Sequence, residues 1–268
     1  MMLSAAFEFR PGTTPLLVSM PHAGLKLSDA VSAGLSDDAK SLPDTDWFVP
    51  ELYPFLAQMG VGVISANYSR YVIDLNRPED DQPLYATKTT GLFPQILFDG
   101  SATFLPGQAP DDQARQQAIA KIWQPYHQRL RAELDRLKAR FGYALLFDAH
   151  SIAAEVPMLF EGRLPDFNLG THDGASCDPA LAAALQRTLQ QQSDYSHVLN
   201  GRFKGGYITR HYGQPAENIH AVQLELSQAT YLQQGAGYQL DSAKLKHLHP
   251  QLQQLIETML AWQPDSQR

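Results

Sequence analysis

Six short apolar runs constrain the fold of this chain more than any other feature: residues 15–20, 61–66, 71–75, 143–147, 157–160 and 221–226. Most are apolar throughout rather than alternating, the pattern of strands covered on both faces. Stretches of helical period lie between and after them. Ile119, Ile122, Trp123, Tyr126, Leu130, Leu134 and Leu137 recur at three and four residues after Asp111. Leu181, Leu185 and Leu189 do so within 178–191, and Leu245, Leu248, Leu252, Leu255, Ile256 and Met259 after Asp241. Strands alternating with helices predict an α/β fold with a mixed, mainly parallel central sheet and helices on both faces. No internal repeat divides the 268 residues, so a single domain over 1–268 is expected. Segment 100–110, rich in Gly, Pro and small residues, is expected as a surface loop.

Composition narrows the partners. The net charge of −7 argues against nucleic acid or an anionic membrane, both of which favour a basic surface. An anionic substrate would therefore need a local positive pocket. The longest uncharged stretch of interest, 52–69, is broken by Pro54, Gln58, Gly60, Gly62 and Asn67, so no membrane span is expected. The first ten residues carry Glu8 and lack the basic-then-apolar order of a secretory signal. The lone Cys177 rules out a disulfide framework or a multi-cysteine metal site, and it has no visible activating neighbour. A cytoplasmic enzyme or binding protein is the expectation.

The polar residues cluster at strand ends, where open α/β sheets bind ligands. His22 follows run 15–20, Asp148 and His150 follow 143–147, Asn76 and Arg77 follow 71–75, and Glu225 sits near the end of 221–226. Two histidines and a carboxylate with an open fourth position make a catalytic zinc site. His22 and His150 are the natural pair, and Asp44 or Asp46 is the third candidate. A helix N-cap is the plainer role for an aspartate there, and is preferred for Asp44. Asp148, two residues before His150, is placed to orient its imidazole. Glu225, between apolar neighbours, would serve a water beside the metal as proton acceptor and then donor; the alternative is an edge strand with Glu225 in solvent. Arg77 with Asn76 suits a substrate carboxylate and Arg70 an oxyanion, against the alternative of surface ion pairs. The glycine-hinged segment 201–210 carries Arg202, Lys204 and Arg210; it is either a second carboxylate site or a solvated hairpin.

These motifs form an ordered set. Pro21-His22-Ala23-Gly24, Asp44-Thr45-Asp46-Trp47, Ser69-Arg70, Val72-Ile73-Asp74-Leu75-Asn76-Arg77, Asp148-Ala149-His150-Ser151, Lys204-Gly205-Gly206-Tyr207 and Gln223-Leu224-Glu225-Leu226 follow one another. In this the chain closely resembles the N-formylglutamate amidohydrolase family, from about Pro15 to Tyr231. The resemblance implies a fold like the zinc carboxypeptidases and aspartoacylases (phosphorylase/hydrolase-like) and hydrolysis of N-formyl-L-glutamate to formate and L-glutamate, late in histidine degradation. It implies His22 and His150 as metal ligands, Glu225 as general base and acid, Asn76 and Arg77 on the substrate α-carboxylate, and Arg70 on the oxyanion. Lys204 or Arg210, beside Gly206 and Tyr207, would meet the second carboxylate. The carboxypeptidase pattern has a glutamate three residues after the first histidine; here Leu25 stands there, so Asp46 enters as third ligand. Zn²⁺ is the expected ion, with Co²⁺, Mn²⁺ and Fe²⁺ compatible with the same donors. Rival expectations are an amidohydrolase of N-succinyl, N-acetyl or peptide substrates, and a non-catalytic amino-acid-binding protein.

Overall fold

A computed structural model of the chain describes residues 5–83, 90–192, 194–235 and 237–264. In chain order the main elements are β1 (Phe7–Arg10), β2 (Leu16–Met20), α1 (Asp29–Gly34), β3 (Gly62–Ala66), α2 (Asp112–Ala118), α3 (Gln124–Phe141), β4 (Ala144–Ile152), β5 (Phe167–Gly170), α4 (Pro179–Gln190), β6 (His197–Leu199), α5 (Tyr207–Tyr212), β7 (Ile219–Ser227) and α6 (Ser242–Ala261). The strands form one sheet in the order β1-β3-β2-β4-β7-β5-β6. Its centre, β3-β2-β4-β7, is parallel; β1 and β5 pair antiparallel to it, and β6 runs parallel to β5. The expected mixed, mainly parallel sheet is what the chain forms.

The uninterrupted apolar runs are explained by two cores, one per face. Leu16, Val18 and Met20 point into one with Leu181, Leu185, Leu248, Leu252 and Leu255 of α4 and α6. Leu17, Ile64, Leu146 and Ala221 point into the other with Tyr126, Leu130, Leu134 and Leu137 of α3. A strand with helices on both sides cannot alternate apolar and polar residues, because neither face meets water. α2, which runs on into α3, and α4 and α6 each begin where an aspartate accepts orphan amides: Asp111 from Ala114, Asp178 from Ala180, and Asp241 from Ala243 and Lys244. Between α2 and α3 the backbone makes one π turn, Ile119–Trp123. Among the described residues no helix is long and apolar enough to cross a membrane.

Two expected strands are absent. Residues 71–75 are buried but form turns: the Val72 amide donates to Ser69 and the Asp74 amide to Leu92. Residues 157–160 also turn, with the Leu159 and Phe160 amides both donating to Val156. Apolar composition signals burial; strand formation also needs a neighbour to complete the backbone bonds, and here local turns supply them. Conversely β1, β5 and β6 are strands too short or too polar to stand out. β4 runs on to Ile152, so Asp148 and His150 lie within a strand rather than after one, and Glu225 lies within β7, near its end, as expected.

Candidate active site

Parallel register builds the site. β2 ends at Met20, which leaves His22 just beyond its carboxyl end. In the adjoining strands His150 of β4 pairs with Glu225 of β7, and Asp148 with Gln223, so four polar side chains occupy two successive rows. β7 is flanked by β4 and β5, which excludes the solvent-facing edge position for Glu225. Asp46 arrives on the connection between α1 and β3, and its amide is fixed to the His22 carbonyl. Arg70, Asp74, Asn76 and Arg77 come from the buried turns after β3.

His22, Asp46 and His150 converge, all buried, with one donor atom from each within 4.8 Å of the others. The His150 Nδ1 lies 3.0 Å from Asp46 Oδ2, and the His22 Nδ1 lies 3.8 Å from the same oxygen. The opposite ring nitrogens are held by buried carboxylates: His22 Nε2 donates to Asp74 at 2.7 Å, and His150 Nε2 to Asp148 at 3.0 Å. Each carboxylate thus orients its ring so that Nδ1 faces the cluster. This donor set suits a divalent metal, since two imidazoles and a carboxylate meet at one point with their orientation already fixed. Asp44 does not join them. Nor is it a helix cap, since no helix starts there; its carboxylate instead accepts the Phe98 amide at 3.1 Å.

The electrostatics follow from burial and neighbours. Burial disfavours the His150 cation, but Asp148 and Asp46 outweigh it and hold its pKa well above the ordinary value. For His22 burial wins, helped by Arg70, and its pKa is lowered despite Asp74 and Asp46. Burial also opposes the charge of Asp74, yet His22 and Arg70 keep its carboxyl well below the usual range. Burial, reinforced by Asp46 and opposed by His150, pushes the Glu225 carboxyl up to about 8. Such a group exchanges protons near neutrality, as an acid–base catalyst must.

One cavity gathers these groups: His22, Asp46, His150 and Glu225 line it together with Arg70, Asn76, Arg77 and Gly206. Arg70 is anchored by Nη2 to Asp74 at 2.8 Å and by Nη1 to the Asp44 carbonyl at 3.2 Å. Arg77 is steadied through Nε on the Thr90 carbonyl. Asn76 binds inward, its amide donating to Asp74 and its Oδ1 accepting from Ile208. Gly206 packs so closely that an added Cβ would lie 2.3 Å from the Asn76 side chain, so only glycine fits. Among the described residues that form the wall, Lys204, Tyr207 and Arg210 do not appear. Lys204 pairs with Asp173 at 3.0 Å, and the Arg210 Nε donates to the Gly205 carbonyl. Tyr207 stacks on His211. Arg202, from the same segment, does line the cavity. The sequence pointed to Arg202 only as one of three cations in segment 201–210, with Lys204 or Arg210 preferred for the second carboxylate, and assigned no role to Asp74. The signal for Asp74 was present, since a carboxylate inside a buried apolar run needs a cationic or hydrogen-bonding partner.

Fold and site define an α/β protein with a buried His–Asp–His cluster able to hold a metal ion, beside a buried glutamate of raised proton affinity. Comparison with known proteins carries this further. The chain matches the family model "N-formylglutamate amidohydrolase" over residues 14–232. An N-formylglutamate deformylase of Pseudomonas putida is 56% identical over 260 residues, covering 97% of each chain. One of Pseudomonas aeruginosa is 54% identical over 260 residues, covering 97% of this chain and 98% of the relative. The crystal structure of N-formylglutamate amidohydrolase from Ralstonia eutropha JMP134 has the same fold, with a TM-score of 0.81 at 23% identity over 96% of this chain and 97% of that one. The chain belongs to the N-formylglutamate amidohydrolase family.

Proposed function

We propose that the protein hydrolyses N-formyl-L-glutamate to formate and L-glutamate, as a metal-dependent amidohydrolase acting late in histidine degradation in the cytoplasm. The observation that carries the reading is the His22–Asp46–His150 cluster with Glu225 paired in register beside its His150, in a chain more than half identical to two deformylases. His22, Asp46 and His150 would hold the ion. Zinc suits the donors best, and Co²⁺, Mn²⁺ or Fe²⁺ would also bind. When bound, such an ion would supply Lewis acidity to the substrate carbonyl and make the attacking water more acidic.

The chain's own groups account for the remaining chemistry. Glu225 takes a proton from the attacking water and delivers it to the departing glutamate nitrogen. Arg70, held against Asp74, presents fixed positive charge to the oxygen on which negative charge develops. Arg77, with Asn76, grips the α-carboxylate; its anchored backbone and guanidinium reduce the entropy lost on binding.

Formate release from N-formyl-L-glutamate, measured alongside metal content, tests the reading. Chelation should abolish turnover and added Zn²⁺ restore it. Turnover undiminished by chelation would remove the metal. Turnover of N-acetyl or N-succinyl analogues without formate release from the formyl compound would replace the substrate.

A further inference from the structure

We propose that Arg202 recognises the side-chain carboxylate of the substrate and so selects an acidic N-acyl amino acid over a neutral one. The inference deepens the hydrolytic reading above and rests on it. A dicarboxylate entering this cavity meets the carboxylates of Asp46 and Glu225, in a chain of net charge −7. Both of its charges need local compensation, and Asn76 with Arg77 answers only one. Among the described residues lining the cavity the permanent cations are Arg70, Arg77 and Arg202. Arg70 is committed to Asp74 beside the His–Asp–His cluster.

Arg202 comes from elsewhere in the topology. Arg77 follows β3, near one end of the strand order, whereas Arg202 follows β6 at the other end. The two guanidiniums thus enter one cavity from opposite flanks of the sheet, as a ligand with two separated carboxylates requires. The Arg202 side chain is aimed by its own contacts: Nε donates to the Leu159 carbonyl at 2.6 Å, and the guanidinium lies 5.4 Å from the Phe203 ring centre. Leu159, Phe203, Phe98 and Ile152 also form cavity wall, so the guanidinium sits beside an apolar rim. Partial exclusion of water there strengthens its attraction for a carboxylate. A neutral amide of the same shape gains much less from that charge than a carboxylate does.

The test is steady-state kinetics of the full chain on N-formyl-L-glutamate and N-formyl-L-glutamine, for wild type, Arg202→Met and Arg202→Lys. In Arg202→Met, kcat/KM for the glutamate substrate should fall about 10- to 100-fold, mainly through KM, the loss of one charge-assisted contact. Turnover of the glutamine substrate should fall much less, and the turnover that remains shows that the variant is folded. Arg202→Lys should recover part of the loss, as it keeps charge without the planar fork. If the methionine variant fails to fold, a selective KM rise in the lysine variant is the expected result. Equal losses on both substrates, no loss on either, or a selective loss produced by Lys204→Met or Arg210→Met instead would overturn the assignment. A wild type that releases formate while Arg202→Met loses no selectivity overturns this inference alone. A wild type that releases none overturns the activity and this inference together.

Discussion

A carboxylate buried beside two other acids is unstable as an anion, and Glu225 shows the result. Its proton affinity is raised to about 8, which equips it to accept and return a proton. A divalent cation on the neighbouring cluster favours the charged form and draws that value downward, toward the working range of a general base. Glu225→Gln keeps the shape and removes the proton transfer. Its kcat should fall by about 10²–10⁴-fold with bound metal unchanged, checked by formate release and elemental analysis on the same sample. Full activity would remove Glu225 from the chemistry. At this scale much was legible. His22, His150 and Glu225 were visible because their positions at or near the ends of apolar runs leave few other uses for them, whereas Asp46 was visible only as one of a pair with Asp44. Asp148 was visible because a two-residue spacing on an extended chain returns to the same face. Which cation of segment 201–210 faces the cavity was not legible, since a glycine-hinged segment can turn any of its three side chains inward.

At the scale of elements, the helical run from α2 to α3 does more than cover a face of the sheet. Its π turn brings Trp123 over the turns after β3, where the indole N–H donates to the Arg77 carbonyl at 3.0 Å. One helical turn on, His127 Nε2 donates to the Leu75 carbonyl at 3.0 Å. Two side chains of one helix therefore hold the backbone that carries Asn76 and Arg77. π turns recur where a helix must aim a side chain at a functional segment. Trp123→Phe keeps the ring and deletes the donor. It should cost about 1 kcal/mol of stability, read by urea denaturation. It should also raise KM for N-formyl-L-glutamate severalfold while leaving kcat near wild type. A fall in kcat with KM unchanged would show that the bond serves the chemistry rather than the grip. The apolar period predicted this helix, but the π turn was invisible, because one extra residue per turn barely disturbs a spacing of three and four.

For the whole molecule, the buried neutral histidine of that helix couples folding to acidity. Burial pushes the His127 pKa down to about 3, against about 6.5 in an unfolded chain. Between these values the unfolded chain binds one proton more, so stability is unaffected above about pH 6.5 and falls as pH drops through that window, by up to about 1.4 kcal/mol per pH unit. His127→Gln keeps a donor for Leu75 and should flatten that acid slope, measured as urea midpoints between about pH 5 and about pH 7. An identical slope in both proteins would assign the acid sensitivity to other groups. What the sequence determined by itself was the α/β class, the helix starts at three aspartates and the residue types of the site, because periodicity, capping and polar residues at strand ends are local signals. Which apolar runs became strands, which aspartate met the histidines, and which arginine faced the cavity were decided by tertiary structure. The last two outcomes depend on partners far along the chain: Phe98 for Asp44, the His22 and His150 side chains for Asp46, and Leu159 for Arg202.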